Sequence, residues 1–257
     1  YNWNEHYPTD WRPSLTTLKS PMLTPSTPAI HWDDPTREAA FGDWLAHVAT
    51  MHHLDTSSLC VASADASFRR YFRILGPAQS SAIIMDAPPD KENSEPFVRI
   101  AKLLTDANLP APHVLAWDEA QGFMLLTDLG QHTLLDVLRT PEANAPVAGA
   151  PFAEPRVARA LMEAAVDLLI QWQLASKPHT LPPYDDALLR RELQLFPDWY
   201  VQQHKGITLD AEQQAALTLS FERIIATNLD APQVFVHRDY MPRNLLVDRS
   251  GSLGVVD

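Results

Sequence analysis

Apolar residues alternate with a period of two in one half of this chain and recur every three to four residues in the other. That change of period limits the folds open to it. Arg37 to His52 reads as a helix, with Ala40, Trp44, Ala46 or His47, and Met51 on its apolar side. The sequence then becomes strand-like. Leu59-Cys60-Val61, Phe68 to Arg73 and Ser81 to Asp86 read as strands, with the small residues Ser63 to Ser67 as a turn. Ser94 caps a helix that carries Pro96 in its first turn and turns Phe97, Ile100, Ala101, Leu103 and Leu104 inward. His113 to Trp117 and Gly122 to Leu126 are two further strands. The order predicts a five-stranded antiparallel sheet with one helix.

Thr127-Asp128-Leu129-Gly130 ends that unit, and helices dominate beyond it. Arg156 to Ala175 is amphipathic, with Val157, Leu161, Ala165, Leu168 and Trp172 on one stripe. Leu188 to Tyr200, broken near Pro197, and Asp210 to Asn228 are further helices; Pro141 to Pro155 is a surface insertion. Gln233 to Val236, Leu245 to Val247 and Leu253 to Val256 are short strands. Residues 1–36 form an extended Pro/Thr-rich arm or linker whose Trp3, Trp11 and Trp32 can dock on a surface. The expected division is therefore arm (1–36), N-terminal β lobe (37–126) and helical C-terminal lobe (127–257), an α+β chain with a cleft between lobes.

Charge narrows the functions. Twenty Lys and Arg against thirty-two Asp and Glu give a net charge of −12. So acidic a chain is not built as a general nucleic-acid binder or for adhesion to anionic membranes. A metal ion and a few local arginines can still hold a phosphate inside it. The single cysteine, Cys60, makes no internal disulfide, so a reducing, cytoplasmic setting is expected, with Cys60 as a small buried residue. No apolar run reaches the roughly 18 residues of a membrane span. A chain opening on Tyr1 without a signal pattern reads as a fragment or a processed form.

The residues with the sharpest chemistry are His237-Arg238-Asp239-Tyr240-Met241-Pro242-Arg243-Asn244, followed by Asp257. The spacing H-R-D-x-x-x-x-N suits phosphoryl transfer. A carboxylate, Asp239, meets an acceptor hydroxyl, while an amide oxygen (Asn244) and a second carboxylate (Asp257) offer oxygens to Mg²⁺. From about Phe41 to Asp257 the chain resembles the protein-kinase-like superfamily and, within it, the aminoglycoside phosphotransferase family. Ala64 to Arg73, Met85-Asp86-Ala87-Pro88-Pro89 and Glu192 to Tyr200 are similar to the bacterial anomeric kinases of N-acetylmuramate and N-acetylglucosamine.

That resemblance implies a bilobal protein-kinase-like fold and an ATP- and Mg²⁺-dependent sugar kinase. It would phosphorylate the C1 hydroxyl of an amino sugar in cell-wall recycling. Asp239 would be catalytic, and Asn244 and Asp257 would hold the metal. The turn Ala64 to Ser67 would cover the phosphates, and Leu126 to Leu129 would bind adenine through backbone groups. The nucleotide set is thus Ser67, Phe68, Arg70, Thr127, Asp128 and Leu129. Glu192, Asp198 and Trp199 are sugar contacts or else faces of an ordinary helix. Arg243 touches phosphate or substrate, and His237 and Arg238 brace the loop. The third strand, Ile83-Ile84-Met85-Asp86, lacks the family's lysine, leaving Lys91, Arg70 or Arg73 to replace it. The family continues past the position of Asp257, so the helical lobe reads as truncated. Two other readings stand beside this one. The first is a kinase of an aminoglycoside, choline or homoserine. The second is a nucleotide-binding module without turnover. Oligomeric state is not legible.

Overall fold

The computed structural model of the chain describes residues 30–64, 68–139, 155–248 and 250–256. Trp3, Trp11 and most of the Pro141 to Pro155 segment lie outside them. Helix α1 (Pro35–His52) starts where the Asp34 carboxylate accepts the Thr36 N–H at 2.8 Å and Pro35 needs no donor partner. It stops at His53, which takes a left-handed φ of 55°. Its buried stripe is Phe41, Trp44, Leu45, Val48 and Ala49. Of the expected stripe Trp44 is buried and Ala40 is half-buried against the same core, whereas Ala46, His47 and Met51 are exposed, because Phe41 sets the phase of packing.

The strands are β1 (Asp55–Ala64), β2 (Arg70–Leu75), β3 (Ser81–Asp86), β4 (Val114–Asp118) and β5 (Phe123–Thr127). They form one antiparallel sheet in the order β1-β2-β3-β5-β4. Helix α2 (Glu95–Asp106) joins β3 to β4. Ser94 precedes it without a capping bond; Asn93 Oδ1 accepts the Glu95 N–H instead, at 3.1 Å. The two faces of the sheet carry different cores. Phe72, Ile74, Ala82, Ile84, Phe123 and Leu125 pack with α1, and Trp32 joins them from the end of the arm. Met85, Ala87, Met124 and Leu126 face the other way, with Tyr71, Ile83, Phe97 and Trp117 against them. The first face is dense with rings; Trp32 and Phe41 lie 4.9 Å apart, and Phe41 meets Phe123 edge-on at 5.5 Å.

A second sheet is made of β6 (His132–Thr133), β7 (Leu245–Val247) and β8 (Leu253–Val255). Helix α3 (Leu134–Arg139) follows β6, and α4 (Pro155–Leu174) buries Leu161, Ala165 and Trp172, three of the expected stripe. Contacts divide the chain into two compact units: Tyr1–Trp172 with His237–Asp257, and Gln173–Val236. The second unit holds α5 (Asp186–Leu195), a wider helical run Phe196–His204 that Pro197 introduces, and α6 (Ala211–Asp230). Arg190 ties α5 to α6 by pairing with both Asp186 and Glu222 at 2.6 Å. Asp210 and Gln213 form a reciprocal cap at the start of α6. Gln233 to Val236 is not a strand; the Phe235 N–H goes to the Ser176 hydroxyl at 2.7 Å rather than to a neighbouring strand.

Candidate active site

The loop His237 to Asn244 leads into β7, and its backbone is pinned from several sides. The Asn244 N–H reaches Met241 O at 2.9 Å, Val256 N–H reaches Asn244 O at 3.0 Å, and Leu135 N–H reaches Pro242 O at 3.0 Å. The Tyr240 hydroxyl donates to Ala165 O of α4 at 2.6 Å, and burial pushes its pKa up to about 12. His237 lies edge-on to the Tyr240 ring at 5.3 Å. Arg238 sits at a φ of 73°, a left-handed conformation that a residue with a Cβ adopts only when its surroundings hold it there.

That frame brings two expected residues together. Asn244 Nδ2 donates to Asp239 Oδ2 at 2.9 Å and to Asp239 O at 3.0 Å. The amide nitrogen of Asn244 thus orients the carboxylate, and its amide oxygen is the atom left to offer a cation. Mg²⁺ takes a few protein oxygens alongside phosphate oxygens, so the donor chemistry fits that ion. Among the described residues no group of three or more His, Cys, Asp or Glu gathers into a metal cluster. Asp257, the second expected metal ligand, lies outside the described residues, as does Ser67. Asp239 and Arg243 are exposed on the same loop.

The hinge segment Thr127-Asp128-Leu129-Gly130 packs closely on this loop's hairpin. Gly130, at φ +131°, lies so close to β7 that a Cβ would stand 2.8 Å from Val247 O. A Cβ on Gly254 of β8 would stand 2.9 Å from Leu129 Cβ. Thr127 serves the sheet edge, its N–H donating to His113 O at 3.0 Å and its hydroxyl accepting from His113 N–H at 2.9 Å. The Asp128 carboxylate turns inward to Arg73 Nε (2.6 Å), Ser81 Oγ (2.7 Å) and the Gly130 N–H (3.0 Å). Burial on its own raises the Asp128 pKa, but these donors outweigh it and hold the group below the ordinary carboxylate value. The side chain of Asp128 is therefore a structural tie, and its backbone is what remains to meet a ligand.

Arg70 is engaged elsewhere. Its Nε donates to Asp86 Oδ2 at 3.0 Å, and Arg37 Nε of α1 donates to Asp86 Oδ1 at 3.1 Å. Asp86 is fully buried, and Arg70 also lies 3.8 Å over the Trp32 ring. Phe68 is exposed, with Lys91 Nζ 5.3 Å from its ring. In the other unit the Tyr184 hydroxyl donates to Glu192, and Gln194 donates to Asp198 at 2.8 Å. Trp199 is 66% exposed. Sequence reasoning did not single out the carboxylate Asp86 or the Tyr240 anchor. The one available signal was their type: a charged residue ending an apolar strand, and an aromatic hydroxyl inside a polar loop.

Residues 58–257 match the phosphotransferase enzyme family. An N-acetylmuramate/N-acetylglucosamine kinase of Pseudomonas aeruginosa is 45% identical over 201 residues, 78% of this chain and 54% of that protein. One of Neisseria meningitidis serogroup B is 35% identical over 221 residues, 86% of this chain and 61% of that protein. The chain thus spans a little over half the length of these curated relatives. The ternary complex of streptomycin, ATP and APH(2'')-IIa superposes with a TM-score of 0.53 at 15% identity, covering 89% of this chain and 71% of that one. The fold is the protein-kinase-like α+β fold of such phosphotransferases.

Proposed function

This chain belongs to the phosphotransferase enzyme family, and from that premise we propose that it is an ATP- and Mg²⁺-dependent amino-sugar kinase. Its acceptor is the C1 hydroxyl of N-acetylmuramate or N-acetylglucosamine, in a cytoplasmic setting of cell-wall recycling. The observation that carries the reading is the Asn244–Asp239 bond, 2.9 Å long, inside the H-R-D-x-x-x-x-N loop. The names of the two curated relatives support the acceptor, and ATP in the complex of the structural neighbour supports the donor.

The chemistry follows from the fixed carboxylate. Asp239 accepts the hydrogen of the sugar hydroxyl and turns the oxygen lone pair along the line of transfer. Asn244 keeps that carboxylate from rotating, because its amide holds both the side chain and the backbone carbonyl of Asp239. When bound, Mg²⁺ supplies neutralisation of the charge on the β- and γ-phosphates. Asn244 Oδ1 and Asp257 are the residues that would hold it, and Arg243 would meet phosphate or sugar. Glu192 and Asp198 would accept from sugar hydroxyls, with Trp199 offering a ring face.

The test is product identity. Incubation with Mg·ATP and each sugar, followed by ³¹P and ¹H NMR, is expected to give a phosphate on C1. Phosphate on another hydroxyl, or ADP release only with an aminoglycoside, choline or homoserine, overturns the acceptor. Tight Mg·ATP binding with no turnover on any acceptor assigns the chain to a nucleotide-binding role without transfer.

A further inference from the structure

Asp239 and Tyr240 are neighbours in the loop, but their side chains have different surroundings. The carboxylate is exposed, and the phenol is half-buried. A phenol so placed needs an acceptor for its hydroxyl. It finds one on α4, where Ala165 O accepts it at 2.6 Å. Ala165 lies near the middle of that 20-residue helix, and its side chain is buried on the same stripe as Leu161 and Trp172. The hydroxyl therefore ties an irregular loop to the packed side of a long helix, one residue past the carboxylate.

The other bonds of the loop act at other points. Leu135 N–H holds Pro242 O, and Val256 N–H holds Asn244 O. Asn244 Nδ2 fixes the Asp239 carboxylate to the loop itself. Asn244 thus sets where the carboxylate stands within the loop, and Tyr240 sets where that end of the loop stands on the helix. On the far side of Asp239, Arg238 turns the backbone through a left-handed φ of 73°. With the chain turned at 238 and tied at 240, Asp239 has little freedom to drift.

We propose that Tyr240 is a positioning residue for phosphoryl transfer: its hydroxyl, held by Ala165 O, keeps Asp239 aligned with the acceptor hydroxyl. This rests on the kinase reading of the preceding section. In that step the acceptor oxygen bonds to the γ-phosphorus as the bond to the ADP oxygen breaks, and the hydroxyl proton passes to Asp239. Tyr240 touches none of these atoms and acts through Asp239. Misplacing a reacting group by about 1 Å can cost about 10²-fold in rate. Freeing the loop end therefore slows transfer and leaves substrate binding largely as it was.

Steady-state kinetics of the whole chain test it, with Mg·ATP and N-acetylglucosamine or N-acetylmuramate. Wild type, Tyr240→Phe, Asp239→Asn and the double variant are compared. Tyr240→Phe keeps the ring against His237 and removes one hydrogen bond. Its kcat is expected to fall about ten- to a hundredfold. KM for both substrates stays within about threefold. In the Asp239→Asn background the same change costs less than about twofold, because the group it aims is gone. Val48→Ala, in the core under α1, lowers the melting temperature and leaves kcat within about twofold, which separates aim from stability. A Tyr240→Phe kcat within about twofold of wild type overturns the proposal. An equal fractional loss in both backgrounds also overturns it, as does a loss confined to KM. Wild type without turnover on either sugar overturns the amino-sugar kinase reading on which this inference rests.

Discussion

Replacing Asp86 with Asn should unfold this chain far more readily while leaving its shape almost unaltered. The carboxylate is completely buried, and two arginines converge on it, Arg37 from α1 and Arg70 from β2. Each also packs on a ring, Arg37 at 4.0 Å over Phe123 and Arg70 at 3.8 Å over Trp32. An amide of the same size removes the negative charge and points an N–H₂ at a donor. Breaking a buried ion pair from one side costs about 3–5 kcal/mol. Here the Arg37 and Arg70 side chains keep 16% and 35% of their surface, so water can reclaim part of them. The lower end, about 3 kcal/mol, is therefore expected, or a fall of roughly 6–12 °C in melting temperature for a domain near this size. Urea denaturation read by tryptophan fluorescence is the assay, because Trp32 and Trp44 sit in the affected core. The combined change Arg37→Met, Asp86→Leu, Arg70→Met should recover most of the loss, since apolar side chains can replace such a group at little cost. A stability change under about 0.5 kcal/mol for Asp86→Asn would falsify the claim that Asp86 anchors the sheet to α1.

Other outcomes follow from the site. Gly254→Ala should cost about 1–3 kcal/mol and weaken nucleotide binding, because the added carbon must displace Leu129 and with it the hinge; thermal melts and ATP titration check both. Asp128 is held below the ordinary carboxylate pKa, so its stabilisation is present above about pH 4 and is lost as pH falls below that. Asp128→Asn should lower stability at neutral pH and flatten that acid limb in melts taken from pH 7 downward. Tyr240 is the opposite case. Its raised pKa favours the neutral phenol in the folded chain, so stability is full below about pH 10 and declines between there and about pH 12. Tyr240→Phe should remove that alkaline loss and cost about 1–2 kcal/mol at neutral pH by leaving Ala165 O without its donor.

Most of the architecture was written locally. Ser81 to Asp86 matches β3 residue for residue, and the other four strands differ from expectation by shifts or extensions at their ends. The expected C-terminal helices fall on α4, α5 with its wider continuation, and α6. What failed to show depended on partners distant in sequence. β6 is two residues long and exists because Val247 and Leu246 lie opposite it, a pairing no local pattern announces. Gln233 to Val236 has strand-like composition, but its Phe235 N–H is taken by a side chain. The phase of α1 followed bulky rings from three other segments rather than its own periodicity. In the site, Asn244 meets Asp239 because the four residues of loop between them leave few other arrangements. The arginines were opaque for the converse reason. Arg69, Arg70 and Arg73 are near neighbours in sequence, yet the pleat and the carboxylates Glu92, Asp86 and Asp128 give them three different tasks.

The most direct test of phosphoryl transfer at this loop is a parallel measurement of turnover and Mg·ATP affinity in Asp239→Asn, with N-acetylglucosamine and N-acetylmuramate as acceptors. The expected result is a fall in turnover of about 10²–10⁴-fold with nucleotide affinity within a few-fold of wild type. Turnover preserved within a few-fold, in a variant that binds and melts like the parent, would contradict the role of Asp239 and with it the site.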